Sequence, residues 1–247
     1  MDFLSYPRLP ESPINTVVMS GEHPEFIKRL SDIGITAIAT AACKSLPRPV
    51  AHHADMQLCD FGSGHAFALK ESLPHLKKQL DGMQIHETER RAQPIYPCDV
   101  LCSCIILDGC LFGRLDSLDP AILKYAAASQ LTPVHVKQGY AACSCCVIRK
   151  NAVITEDPSI AAAMRQQGID VLKISSGSIR LPGYDTGFIG GCSGKISGDT
   201  MVFSGDLKKH ADFEIIAEFL KRYNVKYICL SDEQLLDIGG IVPVMED

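Results

Sequence analysis

Four segments of the 247-residue chain open alike, and the constancy of their spacing limits the fold more than any single motif does. Each has a polar or aromatic lead-in, an apolar strand, a turn at small residues, a second strand and a helix. The lead-ins are His53-Ala54-Asp55, Pro97-Cys98-Asp99, Tyr140-Ala141-Ala142 and Gly183-Tyr184-Asp185, whose third residues step by 44, 43 and 43. A fixed period of this length marks a repeated supersecondary unit that buries its apolar face only by packing on its neighbours.

Apolar spacing near 3.6 predicts helices over residues 71–80, 119–129, 157–167 and 210–222, each followed by a short apolar strand, at 83–86, 133–136, 171–174 and 226–230. Asp157-Pro158 reads as an N-cap followed by proline at the first helical position, and Gly168 as the stop. A fifth unit opens near residue 236 and runs out before its helix. Residues 15–20, 24–32 and 35–39 supply the missing strand, helix and strand. The fold expected is therefore α/β: one domain over residues 1–247, built of strand-strand-helix-strand repeats, with the fifth split between about 236–247 and 14–40. Joining the termini in one unit closes the ring and leaves no end repeat to cap. An open doubly wound sheet also alternates strands and helices, but here no glycine-rich phosphate loop links a first strand to a helix.

Five such units closed by the termini resemble the pentein, or guanidino-modifying-enzyme, fold, a five-bladed α/β-propeller that includes amidinotransferases, arginine deiminases, dimethylargininases and translation initiation factor six. The likeness spans about residues 14–244, and the stretches HHADMQLCDFG and LPGYDTGFIGGCSGKI are most similar to a divergent bacterial branch. The resemblance implies a ligand site where the starts of the first strands converge. Its active branches use a cysteine thiolate on the guanidinium carbon and a histidine to transfer protons. In them the histidine sits in an H-x-D lead-in of the fourth unit, where this chain has Gly183-Tyr184-Asp185. The cysteine follows a G-G-x-x-C turn, where this chain has Gly239-Gly240-Ile241-Val242-Pro243. Standard deiminase or amidinotransferase chemistry is therefore not expected.

Four of the five register marks are aspartates: Asp55, Asp99, Asp185 and Asp237. Either they converge, with His53 and Tyr184 beside them, to hold a guanidinium or ammonium ligand, or each caps its own strand through local N–H groups. Converging carboxylates repel unless a cation, hydrogen bonds or protonation relieves them. A relocated reacting pair would draw on His52 or His53 beside Asp55, and on Cys102, Cys145 or Cys192. No metal or other cofactor is expected. Cys102/Cys104 and Cys143/Cys145 share strand faces, but C-x-C is not the zinc knuckle spacing, and adjacent His52 and His53 face apart on a strand. Gly190 to Lys195 fails the phosphate-loop frame at Ile196 and reads as a flexible hairpin.

Composition excludes several classes. A net charge of −5 with scattered lysines and arginines provides no basic field for nucleic acid. No apolar run reaches the roughly 20 residues that span a bilayer, and MDFLSYPRLPESP lacks a signal-peptide pattern, so a cytoplasmic location without membrane contact is expected. Eleven cysteines, an odd number lying mostly in apolar runs, read as reduced and buried thiols. Two functions remain open: binding of a small cationic or polar metabolite, or a noncatalytic surface for a protein partner resembling initiation factor six.

Overall fold

The computed structural model describes residues 2–247. A short β1 (Asp2–Phe3) precedes the amino-terminal part-unit of β2 (Ile14–Ser20), α1 (Pro24–Asp32) and β3 (Thr36–Thr40). One helical turn, α2 (Ala54–Gln57), leads into the first whole unit: β4 (Leu58–Gly62), β5 (His65–Ala68), α3 (Leu73–Gln79) and β6 (Gln84–Glu87). The second is β7 (Cys104–Leu107), β8 (Cys110–Gly113), α4 (Pro120–Ala128) and β9 (Thr132–His135), and the third β10 (Cys146–Arg149), β11 (Ala152–Thr155), α5 (Pro158–Gln166) and β12 (Asp170–Lys173). The fourth is β13 (Ser193–Ser197), β14 (Thr200–Phe203), α6 (Phe213–Arg222) and β15 (Lys226–Cys229), and β16 (Val242–Glu246) ends the chain.

Every whole unit is a three-stranded sheet in which the first two strands are antiparallel and the third returns parallel to the second through the helix. Local chemistry explains both connections. At Asp108-Gly109 both residues are left-handed, φ 47° and 75°, the twist a two-residue hairpin requires. Asp157 accepts the N–H groups of Ser159 and Ile160 with Pro158 next, so the cap expected of α5 is present. A parallel third strand needs a crossover, which the amphipathic helix supplies while burying, in α6, Ile216, Phe219 and Leu220.

The termini share one sheet, ordered β1-β16-β2-β3, with Val242 opposite Val18 and Pro243 opposite Val17. That is the pairing expected of a split fifth unit, extended by β1 on the outer edge. The core lies between neighbouring units: Ile105 and Phe112 pack with Val147 and Val153, and Leu58 and Leu76 with Val18 and Val242. All eleven cysteines are free thiols; nine are buried, Cys229 is half-buried and Cys98 exposed. Among the described residues no helix is long and apolar enough to cross a membrane.

Two local expectations differ. Only Cys104 of its pair is in a strand; Cys102, Cys143 and Cys145 lie in lead-in turns, so strand alternation does not orient them. Gly190 to Lys195 is not a flexible hairpin but a buried turn entering β13, and the hairpin bend falls at Gly198-Asp199. Lys195 is buried and donates to the carbonyls of Ile148 and Gly198, which satisfies the ammonium without a carboxylate.

Candidate functional site

Coil segments before the first strands bond to one another, and these bonds assemble the site. Gly191 N donates to Cys143 O at 2.8 Å, Ile238 N and Gly240 N donate to Gly191 O, and Asp55 N donates to Gly239 O at 3.1 Å. The lead-ins of the first, third, fourth and fifth units are thereby tied together, and Ser103 Oγ of the second accepts from Ala142 N. Glycine is required where the backbones close up. A Cβ on Gly191 would overlap the Asp237 carboxylate, and one on Gly239, at φ 77°, would overlap His53.

Four reactive side chains meet at this junction: His53, Asp55, Cys143 and Asp237. One donor atom from each of His53, Asp55 and Cys143 lies within 4.8 Å of the other two, and all three residues are buried. Asp237 Oδ1 is 3.7 Å from His53 Nδ1 and accepts from Gly239 N, while Oδ2 accepts from Phe188 N at 2.9 Å. Asp55 is fully buried, and neither carboxylate oxygen has a hydrogen-bond partner among the described residues. His53 Nδ1 is likewise unpartnered.

Burial controls the charge states. It drives the His53 imidazole down to about 4, against the pull of the Asp55 charge, so the ring is neutral at pH 7. It raises Asp55, and raises Asp237 to about 6 despite the two backbone N–H groups that favour the anion. Cys143 is pushed far above the ordinary thiol range, first by burial and then by Asp55 and Asp237. At rest the site therefore holds a protonated thiol, a neutral imidazole and two carboxyl groups whose charged forms burial disfavours, with the Arg8 charge acting on Asp55 in the opposite sense.

Two cavities reach the junction. The outer one, about 400 Å³, is lined by Ser20, Glu22, His23 and Arg48 and has His53 and Asp237 on its wall. The inner one, about 80 Å³, is lined by His53, Cys143 and Asp237 together with Tyr140, Tyr184 and Phe188. A larger cavity of about 750 Å³ lies beneath the amino-terminal segment, beside Phe61 and Tyr125, and holds none of the junction residues. Size alone would choose it, but only the two smaller cavities touch the clustered reactive groups.

Of the sequence candidates, His53, Asp55 and Asp237 come together. Tyr184 is exposed and lines the inner cavity. Asp99 stands one layer back: fully buried, it accepts the Tyr140 hydroxyl at 2.7 Å. Asp185 is exposed and lines none of these cavities. First strands begin three to five residues after Asp55, Asp99, Ala142 and Asp237 but eight after Asp185, whose lead-in loops outward, so Ile189 occupies the equivalent depth. His52 is half-buried with Nδ1 at 3.2 Å from Thr40 O, and Cys102, Cys145 and Cys192 are buried outside the His53, Asp55 and Cys143 group. The sequence offers Cys143 only as half of a C-x-C pair that fails the zinc-knuckle spacing, and does not point to Glu156. Cys143 directly follows the register mark Ala142, a signal that could have found it. Glu156 accepts from Ile189 N at 2.8 Å, is raised to about 8 by burial, and had no signal, since it lies between a strand and a helix cap.

Comparison with solved structures places the fold. An inosamine-phosphate amidinotransferase from Streptomyces griseus matches over 97% of this chain and 94% of its own at 10% identity and a TM-score of 0.60. The dimethylarginine dimethylaminohydrolase from Pseudomonas aeruginosa, solved with citrulline, covers 94% and 100% at 8% identity and 0.59. An agmatine deiminase from C. jejuni covers 98% and 96% at 11% identity and 0.56. All have the pentein fold, and identities this low carry the fold alone. No curated protein matches the chain in sequence. A family of unknown function, DUF6873, matches residues 18–242, and the chain, which has the pentein fold, belongs to it.

Proposed function

We propose that the protein binds a small cationic metabolite, bearing a guanidinium or ammonium group, where the lead-ins meet, with Asp237 as anchor and the outer cavity taking the rest of the molecule. One observation carries this reading: Asp55 and Asp237 are buried side by side, and no lysine or arginine among the described residues forms an ion pair with either. Buried carboxylates without an ion-pair partner are costly, and a ligand cation in contact lowers that cost beyond what the more distant Arg8 charge supplies to Asp55. Guanidinium is the favoured head group because its planar donors match carboxylates and because pentein relatives act on guanidino compounds. Glu22 and Arg48, both on the outer cavity, suit a ligand whose far end is polar or zwitterionic.

Five sheets around one junction also explain how the fold tolerates missing groups at the usual positions. Quasi-equivalent lead-ins can each carry a reactive residue to the centre, so a histidine from the first unit and a cysteine from the third meet there. With burial and two carboxylates holding Cys143 protonated, a positive charge must arrive before its thiolate forms. A thermal-shift screen with arginine, agmatine, citrulline and creatine tests the reading. A guanidinium ligand should raise the melting temperature by mass action and lose that effect in Asp237→Asn. No response to any cation, or an equal response in the variant, would overturn it and turn attention to a protein partner.

A further inference from the structure

We infer that His53, Asp55 and Cys143 form a site for one divalent transition metal ion, with an open coordination position facing the inner cavity. Three atoms no more than 4.8 Å apart have a common point within about 2.8 Å of each. Side-chain shifts of about 0.5 to 0.8 Å bring that point to the roughly 2.0 to 2.3 Å of zinc–nitrogen, zinc–oxygen and zinc–sulfur bonds. The second observation is independent of the clustering. Asp55 has two buried oxygens with no hydrogen-bond partner and His53 a buried unpartnered Nδ1, so two of the three groups lack the bonds that buried polar atoms ordinarily make.

The donor chemistry selects the ion. Magnesium and calcium take oxygen ligands, whereas one imidazole, one thiolate and one carboxylate suit zinc, cobalt or ferrous iron. Three protein ligands leave the fourth position of a tetrahedral ion free, the pattern of metal sites that bind an exchangeable ligand. His53 and Cys143 both line the inner cavity, so that position is reachable from it. The fold holds the ligands before any ion arrives. Asp55 N is bonded to Gly239 O and Cys143 O to Gly191 N, so the backbone under two of the ligands is fixed, and the close approach of Gly239 confines His53. The spacing of the cysteines concealed this, because the set uses one member of a C-x-C pair and an H-x-D from another unit.

The inference builds on the proposed function at one point, charge. A thiolate and the carboxylates of Asp55 and Asp237 carry three negative charges against two on the ion, leaving one for a monocationic ligand in the outer cavity.

The test uses the full-length chain, stripped with a chelator and titrated with cobalt(II) and, separately, with zinc. One equivalent should bind, cobalt should give a near-ultraviolet thiolate-to-metal charge-transfer band, and Cys143→Ser should abolish that band. Asp55→Asn should keep a folded far-ultraviolet spectrum and bind cobalt about tenfold or more weakly. Cys98→Ser and Cys229→Ser, which change the accessible thiols, should leave the band unchanged. A missing band in the parent protein, a band that survives Cys143→Ser, or a band lost with Cys98 or Cys229 would each overturn the site. If Cys143→Ser does not fold, unweakened binding in Asp55→Asn does so instead. Running the metabolite screen on stripped and loaded protein separates the two ideas. Metabolite binding without the cobalt band removes only the metal, and the band without any metabolite response removes only the cationic ligand.

Discussion

The lead-ins of the first and fourth units have the same length of register triplet and the same terminal aspartate, yet they do opposite things. His53-Ala54-Asp55 turns inward, begins a single helical turn, and places both polar side chains at the junction. Gly183-Tyr184-Asp185 swings out to solvent, and the chain needs seven further residues before β13 begins. Inward placement is enforced by backbone bonds from neighbouring lead-ins; Asp55 N reaches Gly239 O, while Asp185 makes no described hydrogen bond. A triplet at the right period therefore specifies a candidate, and the hydrogen bonds of the adjacent coil decide whether it reaches the centre.

The largest effect that would break this contrast comes from the glycines. Gly239→Ala puts a Cβ into His53 at a left-handed φ, and should lower unfolding stability in urea by about 3 kcal/mol or more. Gly183→Ala, also left-handed but meeting only the Pro49 side chain, should cost about 1 kcal/mol. Equal losses would mean that the junction is no tighter than the loop.

Next in size is ligand recognition. Asp237→Asn should weaken a guanidinium ligand found in the screen by at least about tenfold, or 1.4 kcal/mol, measured by calorimetry. Asp185→Asn should change it by less than about twofold; a comparable loss at both positions would return Asp185 to the site.

Glu156 sharpens the comparison through pH, since it pins the fourth lead-in from the buried side. Its folded value, about 8, lies above the ordinary 4.5, so the native state holds a proton that the unfolded chain has released. Its contribution to stability is therefore present at low pH and is lost as pH rises from about 4.5 to 8, with a slope no steeper than about 1.4 kcal/mol per pH unit. Glu156→Gln should flatten the decline between pH 6 and 8 in unfolding titrations. An unchanged slope would place its origin elsewhere.

The smallest effect concerns reactivity. Iodoacetamide on the native chain should label Cys98 first and Cys229 slowly, and should spare Cys143 until denaturant is added, because a buried neutral thiol is a poor nucleophile. Rapid alkylation of Cys143, read by peptide mass spectrometry, would show the junction to be open and its thiol ionised.

Much of the architecture is legible without coordinates. The helix expected at residues 157–167 appears as Pro158–Gln166, the one at 24–32 as Pro24–Asp32, and the strand at 226–230 as Lys226–Cys229. These follow from short-range rules of apolar period, caps and prolines, which act within a few residues. The match between the carboxy-terminal strand and residues 14–20 was readable because a period interrupted at one end and resumed at the other has one economical solution. The site was legible only in part. His53, Asp55 and Asp237 follow from the register, whereas Asp185 misleads because the period measures whole units and not the coil length inside each. Lys195 eluded the pattern as well, since its charge belongs on a surface unless carbonyls from two other segments happen to surround it.

What the sequence determined by itself is the unit, its fivefold recurrence and the order of strands within it, because those depend on contacts between residues near in the chain. Tertiary structure decided that Cys143 meets His53 and Asp55, and that Asp185 does not. Those outcomes rest on backbone bonds between lead-ins dozens of residues apart, and on glycines that let the backbones close to contact. No local preference encodes such contacts. They exist only once all the sheets have packed and water has left the space between them.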